Sequence, residues 1–409
     1  MTTELQPLRD ADWDAWYDKL DVAFGGVPEG PERRAWWRAV TETERAFAVR
    51  DGGEIVGTGG SFSFGLTVPG GAELPVAGVT LISVQPTHRR RGVLRSMMRH
   101  QLTDVHARGE ALAVLTATEP AIYGRFGYGP ATQGMSMTVD TVRLAAPDLP
   151  GVADVRLRLV DPAAAVAACE RVYAQLVPTR PGMLARRPHW ERLPVLDPES
   201  ERNGAGQLQC VLAEMDGEVR GYARYAVKPD WDHAGPRGSV LVRHVDALDP
   251  VAYAALWRYL FGIDLTASVV ARGRPVDDPL LHLVADQRRC EIRVQEQLFA
   301  RPVDVGAALA ARTYRRPVDV VLEVADDLCP WNAGRWRLSG DERGAVCERT
   351  TDPAELALSV RELGSAYLGG YTLSALAGAG RVRELRPGAL AAVSQAFGSD
   401  LAPWLPHGF

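Results

Sequence analysis

The sequence predicts a mixed α/β protein of three domains, on three observations. Its 409 residues exceed what one hydrophobic core organises, about 250–300 residues. The order hairpin, strand, helix, strand occurs twice, first in residues 1–148 and again in residues 149–288. A third segment, residues 289–409, alternates helical and strand signals of its own. The expected division is therefore 1–148, 149–288 and 289–409.

In the first segment "DADWDAWYDKLDVAFG" (Asp10–Gly25) spaces its apolar residues as a helix and ends at a glycine pair, and "RRAWWRAV" follows as a second short helix. "RAFAVRDGGEIVGTGGSFSF" reads as strand, Asp-Gly-Gly turn, strand. "ELPVAGVTLISVQP" is a β-rich run closed by a proline. Gly92–Arg108 is predicted helical, because Leu94, Met97, Met98, Leu102 and Val105 fall on one face. "ALAVLTAT" (Ala111–Thr118) is a short buried strand, and the glycine-rich, aromatic "EPAIYGRFGYGPAT" a loop. The turn formers of Leu144–Val155 mark a linker.

The second segment has a helix around Pro162–Leu176 and a hairpin turning on Asp-Gly in "QCVLAEMDGEVRGYARYAV". The strand "GSVLVRHVDAL", the helix "PVAYAALWRYLFGID" and the strand "ASVVARGRP" complete it. It lacks any counterpart of "HRRRGVLR" or of the tyrosine-glycine loop, so it reads as a degenerate copy kept for structure. In the third segment "RPVDVGAALAAR" is an amphipathic helix and "RPVDVVLEVADD" a strand, with further strand signals in "GRWRLSG" and "GAVCERT". Helices are predicted at Pro353–Ser359 and Pro387–Phe397, and the two prolines of "SDLAPWLPHGF" hold the last residues extended.

Composition limits the function. A net charge of −5 disfavours wholesale nucleic-acid binding, which calls for a basic domain. The five cysteines are dispersed and form no Cys/His cluster, so neither a disulfide framework nor a metal site is expected. No signal peptide is seen, and no apolar run reaches the roughly 18 residues of a membrane span. A reduced, soluble, cytoplasmic protein without a membrane partner is the expectation.

The informative stretch is "LISVQPTHRRRGVLRSMMRH" (Leu81–His100). Its basic run stands between a β-run and the first turn of an amphipathic helix. A helix N-terminus has free N–H groups and the positive end of the dipole, so cations gathered there are disfavoured unless an anion sits among them. Gly92 keeps a Cβ out of the way of such an anion. Neither GxxxxGK[ST] nor GxGxxG is present, so the pattern is a pyrophosphate cradle of another kind. A solvated positive turn is the competing, purely structural reading.

Arg89-Arg90-Arg91-Gly92-Val93-Leu94 resembles the Q/R-x-x-G-x-G/A motif of the GNAT acyl-CoA-dependent N-acetyltransferases, with Leu94 departing from the small last residue. "TATEPAIYGRFGYGPAT" (Thr116–Thr132) downstream is similar to the corresponding segment of the Eis (enhanced intracellular survival) acetyltransferases. The resemblance implies a catalytic GNAT domain, a degenerate GNAT domain and a C-terminal domain like sterol carrier proteins. It also implies acetyl-CoA as co-substrate, a small-molecule amine as acceptor and a homohexamer. Ile82, Ser83 and Val84 would bind the pantetheine arm, Arg90, Arg91, Gly92, Val93, Leu94 and Arg95 the pyrophosphate, and Thr118 and Glu119 would add further contacts.

Tyr123 would be the general acid, since a phenol of pKa about 10 suits protonation of a departing thiolate. The base would be the terminal carboxylate, here Phe409, with His407 a rival. The family's acceptors are polyamines, notably aminoglycosides, acetylated at more than one amine. Such cations want aromatic and acidic walls, for which Trp36, Trp13 and Glu29 are the candidates. Where some relatives carry an acid after the first helix this chain reads "FGGVPEG", and Gly408 also stands where a carboxylate would help. A protein lysine or small amine metabolite as acceptor, or a non-catalytic lipid carrier, are the alternatives.

Overall fold

The Asp-Gly-Gly turn closes a hairpin in the computed structural model, which describes residues 3–409. Around it run β1 (Glu4–Pro7), α1 (Trp13–Ala23), α2 (Pro31–Val40), β2 (Phe47–Asp51), β3 (Glu54–Thr67), β4 (Glu73–Val84), α3 (Val93–Ala107), β5 (Leu112–Thr116), β6 (Gly129–Pro130) and β7 (Gln133–Asp140). The second unit contains β8 (Arg156–Val160), α4 (Val166–Leu176), β9 (Leu184–Ala185), β10 (Gln209–Met215), β11 (Glu218–Lys228), a ribbon of β12 (Trp231–Asp232) and β13 (Gly235–Pro236), β14 (Gly238–Ala247), α5 (Pro250–Phe261), β15 (Thr266–Pro275), α6 (Leu280–Leu283), β16 (Arg293–Glu296) and β17 (Leu298–Pro302). The third contains α7 (Val305–Ala310), β18 (Val318–Ala325), β19 (Gly334–Asp341), β20 (Gly344–Arg349), β21 (Leu356–Ser359), α8 (Val360–Tyr367), α9 (Leu373–Gly378), β22 (Val382–Glu384) and α10 (Ala389–Phe397).

The three units are mixed α/β, each built on one sheet. The first sheet has the order β1-β2-β3-β4-β5-β17-β6 with β9 on β3, the second β16-β7-β15-β14-β11-β10-β8, and the third β20-β19-β18-β21-β22. Pairing is antiparallel except at β4–β5, β14–β15 and β18–β21. The pairing crosses the divisions expected at 148 and 288. β7, from the first segment, pairs with β15 and β16 of the second sheet, while β17 inserts between β5 and β6 of the first. Each α/β unit thus lends a strand to the other, and the two cannot part without breaking ladder hydrogen bonds.

The helix expected at Pro353–Ser359 is a strand, and the helix begins where it was expected to stop. Residues 356–359 alternate in burial against β18, and Ser359 caps α8 by accepting from Arg361 N at 3.2 Å. α3 buries Met97, Met98, Leu102 and Val105, whereas Leu94, on the same predicted face, sits at the mouth of a cleft. Phe64 and Leu66 of the first unit share one apolar cluster with Leu322, Leu363 and Tyr367 of the third, so the third unit packs directly on the first sheet. Among the described residues no helix is long and apolar enough to cross a membrane.

Candidate active site

β4 pairs with β5 at Val76–Leu112, Ala77–Ala113 and Gly78–Val114, and beyond Gly78 the two strands part. On its other edge β4 stays on β3 through a bulge. Thr58 pairs with Ser83 and Gly60 with Thr80, leaving Leu81 and Ile82 opposite Gly59 alone. Leu81 takes a left-handed φ of 55°, and Thr58 Oγ1 donates to its carbonyl at 2.8 Å. Gly59 is required there, because a Cβ would meet the Phe47 ring at 2.4 Å. The bulge re-aims the end of β4, and Ile82, Ser83 and Val84 line the cleft that the fork opens.

The basic turn follows as one 3-10 turn, Pro86–His88, and then two left-handed residues, Arg90 (φ 64°) and Gly92 (φ 84°). Gly92 is the N-cap of α3 and supplies no side-chain hydrogen bond, so the first N–H groups of the helix are left without a capping side chain. Apart from its chain neighbours, nothing among the described residues lies within 4 Å of where a Gly92 Cβ would be, so its conformation, not crowding by protein atoms, favours glycine.

His88 Nε2 lies 3.1 Å from Asp51 Oδ2, and Arg89 Nε donates to Val84 O at 3.3 Å. Arg90, Arg91 and Arg95 have no hydrogen-bond or ion-pair partner among the described residues. Arg90, Gly92, Val93, Leu94 and Arg95 line the cleft of about 780 Å³, together with Thr118, Glu119 and Tyr123. Arg91, expected among them, is exposed and does not line it; flanked by two left-handed residues, its side chain goes to solvent.

Tyr123 sits in a 3-10 stretch, Pro120–Phe126, after β5. The glycines beside it answer to the third unit. A Cβ at Gly129 would strike Arg361 O at 2.1 Å, and one at Gly124 the Arg361 guanidinium at 2.8 Å. Buried Arg301 donates from Nε to Phe126 O at 2.8 Å and pairs through Nη2 with both oxygens of Asp326. The loop is thus clamped between β17 and α8. Burial, with Glu119 adding repulsion, holds the Tyr123 phenol above its ordinary pKa.

A second cleft of about 350 Å³ adjoins the first, and Phe24, Ile82, Thr118, Glu119, Ile122 and Tyr123 line both. Its other walls include Tyr17, Asp21, Glu29, Trp37, Thr116 and Phe409. Glu29, predicted as an acceptor contact, is here and accepts from Tyr17 Oη at 2.6 Å. Burial raises the Asp21 carboxyl above the usual range. Trp36 and Trp13, also predicted for this wall, are 1% exposed in the core and line neither cleft. Trp36 Nε1 donates to His189 O at 3.0 Å, and Trp13 stacks on Tyr17. Adjacent positions on a helix point about 100° apart, so with Trp36 inward it is Trp37 that meets the cleft.

The chain's last residue reaches this cleft from the third unit. Its ring packs on Phe64 at 5.0 Å between centroids, and Thr116 Oγ1 donates to its main-chain oxygen at 3.0 Å. His407 lines neither cleft; its ring lies on Trp190, and burial beside Arg186 pushes its pKa down to about 3. Tyr17 and Asp21, four apart on α1, escaped the sequence reading, although that spacing puts them on one helix face. Among the described residues no group of His, Cys, Asp and Glu could hold a metal ion.

The comparisons agree with this architecture. Residues 4–131 and 182–302 match models of the acetyltransferase (GNAT) domain, and residues 305–406 match a sterol carrier protein domain. An uncharacterised N-acetyltransferase of Streptomyces avermitilis is 61% identical over the full length of both chains. The N-acetyltransferase Eis of Mycobacterium tuberculosis is 35% identical over 98% of each chain. The crystal structure of Eis1 from Mycobacterium abscessus superposes with a TM-score of 0.85 at 34% identity, covering all of both chains. The match thus runs over the full length of the chain, and the chain is an acyltransferase that belongs to the Eis family of GNAT N-acetyltransferases.

Proposed function

We propose that this chain transfers the acetyl group of acetyl-CoA to primary amines of a polycationic small molecule of aminoglycoside type, at several positions, with Tyr123 as general acid and the Phe409 carboxylate as base. The observation that carries the reading is the meeting of two clefts at one tyrosine: Tyr123 lines both, and Phe409 lines the smaller. Acetyl-CoA would supply an activated thioester. The fit is supported by the bare start of α3, the partnerless Arg90 and Arg95 beside it, and the edge of β4 that β5 leaves past Gly78. Main-chain groups of Ile82–Val84 would hold the pantetheine arm. Arg90 and Arg95, with the N–H groups of the first turn of α3, would hold the pyrophosphate.

The acceptor's charge is matched by Asp21, Glu29 and Glu119 on the walls of the smaller cleft, with Tyr17, Trp37 and Phe24 for its apolar faces. The Phe409 carboxylate would take a proton from the acceptor's ammonium, directly or through water, so that the freed amine attacks the thioester carbonyl; as the N–C bond forms and the C–S bond breaks, Tyr123 would give its proton to the departing thiolate. A raised phenol pKa keeps Tyr123 protonated throughout the neutral range. We further place the enzyme in the cytoplasm as a homohexamer, the former supported by five free cysteines, all buried.

The test is an acetyl-CoA-dependent thiol-release assay on an aminoglycoside with the chain extended by one residue beyond Phe409. The extension moves the carboxylate by about 3.5 Å and is expected to cut kcat about a hundredfold. Unchanged turnover would remove the carboxylate as base.

A further inference from the structure

The segment that brings Phe409 to the cleft is pinned, residue after residue, by the second α/β unit. Arg180 Nη1 donates to Ala402 O at 2.7 Å and to Asp277 Oδ1 at 2.6 Å, and Asp277 Oδ2 accepts from Ala402 N at 2.9 Å. Trp404 N donates to Pro181 O at 2.9 Å. The Trp404 indole donates to Gly273 O at 2.6 Å and lies over the Arg274 guanidinium, 5.4 Å from its Cζ. A Cβ on Gly182 would meet Trp404 N and O at 3.0 and 2.9 Å, so glycine is what lets the chain pass there.

Gly273 is available because of a local irregularity in β15. The register of β15 against β7 breaks between Ala271 and Arg274, and Gly273 takes φ 65°. Its carbonyl is thereby released from the ladder and turned to the tail. Beyond Trp404, Leu405 is 3% exposed and His407 lies on Trp190, another residue of the second unit. A chain end left to itself frays. Arg315 of the third unit holds Asp400 at 3.2 Å, but from Leu401 to Gly408 every hydrogen bond from the tail to the rest of the described residues goes to the unit that lacks the basic turn.

We infer that the second unit acts as the bracket that sets the catalytic tail, with Trp404, Arg180 and Asp277 as positioning residues for the Phe409 carboxylate. This rests on the reading of that carboxylate as base. The fold of the second unit is then used in catalysis without its own chemistry: its bulged strand fixes an indole, and the indole fixes the path of the last five residues.

The experiment measures steady-state kinetics on an aminoglycoside and amide hydrogen exchange for Trp404→Ala, Asp277→Ala, a chain lacking Gly408 and Phe409, and that shortened chain carrying Trp404→Ala. Trp404→Ala and Asp277→Ala are expected to lower kcat about ten- to a hundredfold, with KM for acetyl-CoA within about twofold. Exchange should speed up in residues 403–409 and stay unchanged in β4 and β5. In the shortened chain Trp404→Ala should add no further loss, since its target is gone. Full activity of Trp404→Ala beside an inactive shortened chain would overturn the bracket alone. An equal loss in both backgrounds, or faster exchange in β4 and β5, would make Trp404 a residue of general stability and overturn it too. Undiminished turnover by the shortened chain would instead overturn the carboxylate reading, and the bracket's catalytic role with it.

Discussion

α3 starts at a bare glycine, whereas its counterpart in the second unit, α5, starts at Asp249. The Asp249 carboxylate accepts from Val251 N and Ala252 N at 3.1 and 2.8 Å, and Pro250 occupies the first helical position, where no N–H exists to offer. The second helix start is thus supplied with its own anion; the first has no capping side chain, and Arg90 and Arg95 line the cleft beside it. The strand forks differ in the same sense. β14 and β15 pair from Gly238 to Val242 and then part, as β4 and β5 do, but Arg274 fills the gap. It donates to Val245 O at 2.9 Å and to Asp278 Oδ2 at 2.7 Å. One topology therefore makes an open cleft or a closed structural seam, according to whether the backbone groups it exposes are answered from within the chain.

The tyrosines near the two forks give the largest contrast. Tyr253 Oη is committed to Asp278, while Tyr123 Oη has no protein partner among the described residues. Tyr123→Phe is expected to cut kcat by about 10²–10⁴ with the fold intact, the range for losing a general acid, and Tyr253→Phe to leave kcat unchanged. Stopped assays on both variants check this. The acid must be protonated to act, and burial raises the Tyr123 pKa. The alkaline limb of kcat that Tyr123 sets should therefore lie above pH 10, the ordinary phenol value. A limb at or below that value would show that another group donates.

The helix starts give a smaller effect. Asp249→Ala should lower stability by about 1 kcal/mol, as loss of an N-cap does, without moving KM for acetyl-CoA. Chemical denaturation and initial rates measure the two together. A rise in KM would mean that the second helix start also serves the donor.

These contrasts were partly legible in the sequence. "HRRRGVLR" and "IYGRFGYG" are local patterns, and their absence after "GSVLVRHVDAL" marks the second copy as degenerate. What was not legible is non-local. β7 and β17 change sheets through pairings far apart in sequence; where the strands cross, Ala131 and Thr132 N donate to Leu298 O across more than 160 residues, with no local signal. Trp36 and Trp37 differ only in helical phase, which a one-residue shift of the helix start would invert. The strand inside Pro353–Ser359 is only four residues long, and the alternation of "LALS" is too short to declare it. The left-handed Leu81, which re-aims the end of β4, is a conformation a leucine rarely adopts, and nothing nearby announces it.

The central claim is that one of two similar forks, and only one, takes the donor. Titration calorimetry with coenzyme A on the intact chain, and on an Arg90→Ala/Arg95→Ala variant, tests it most directly. We expect one site per chain in the intact protein, and affinity at least about tenfold weaker in the variant, since each charge-assisted contact contributes about 1.5–3 kcal/mol. Two sites per chain, or an affinity that the double substitution leaves unchanged, would contradict the account.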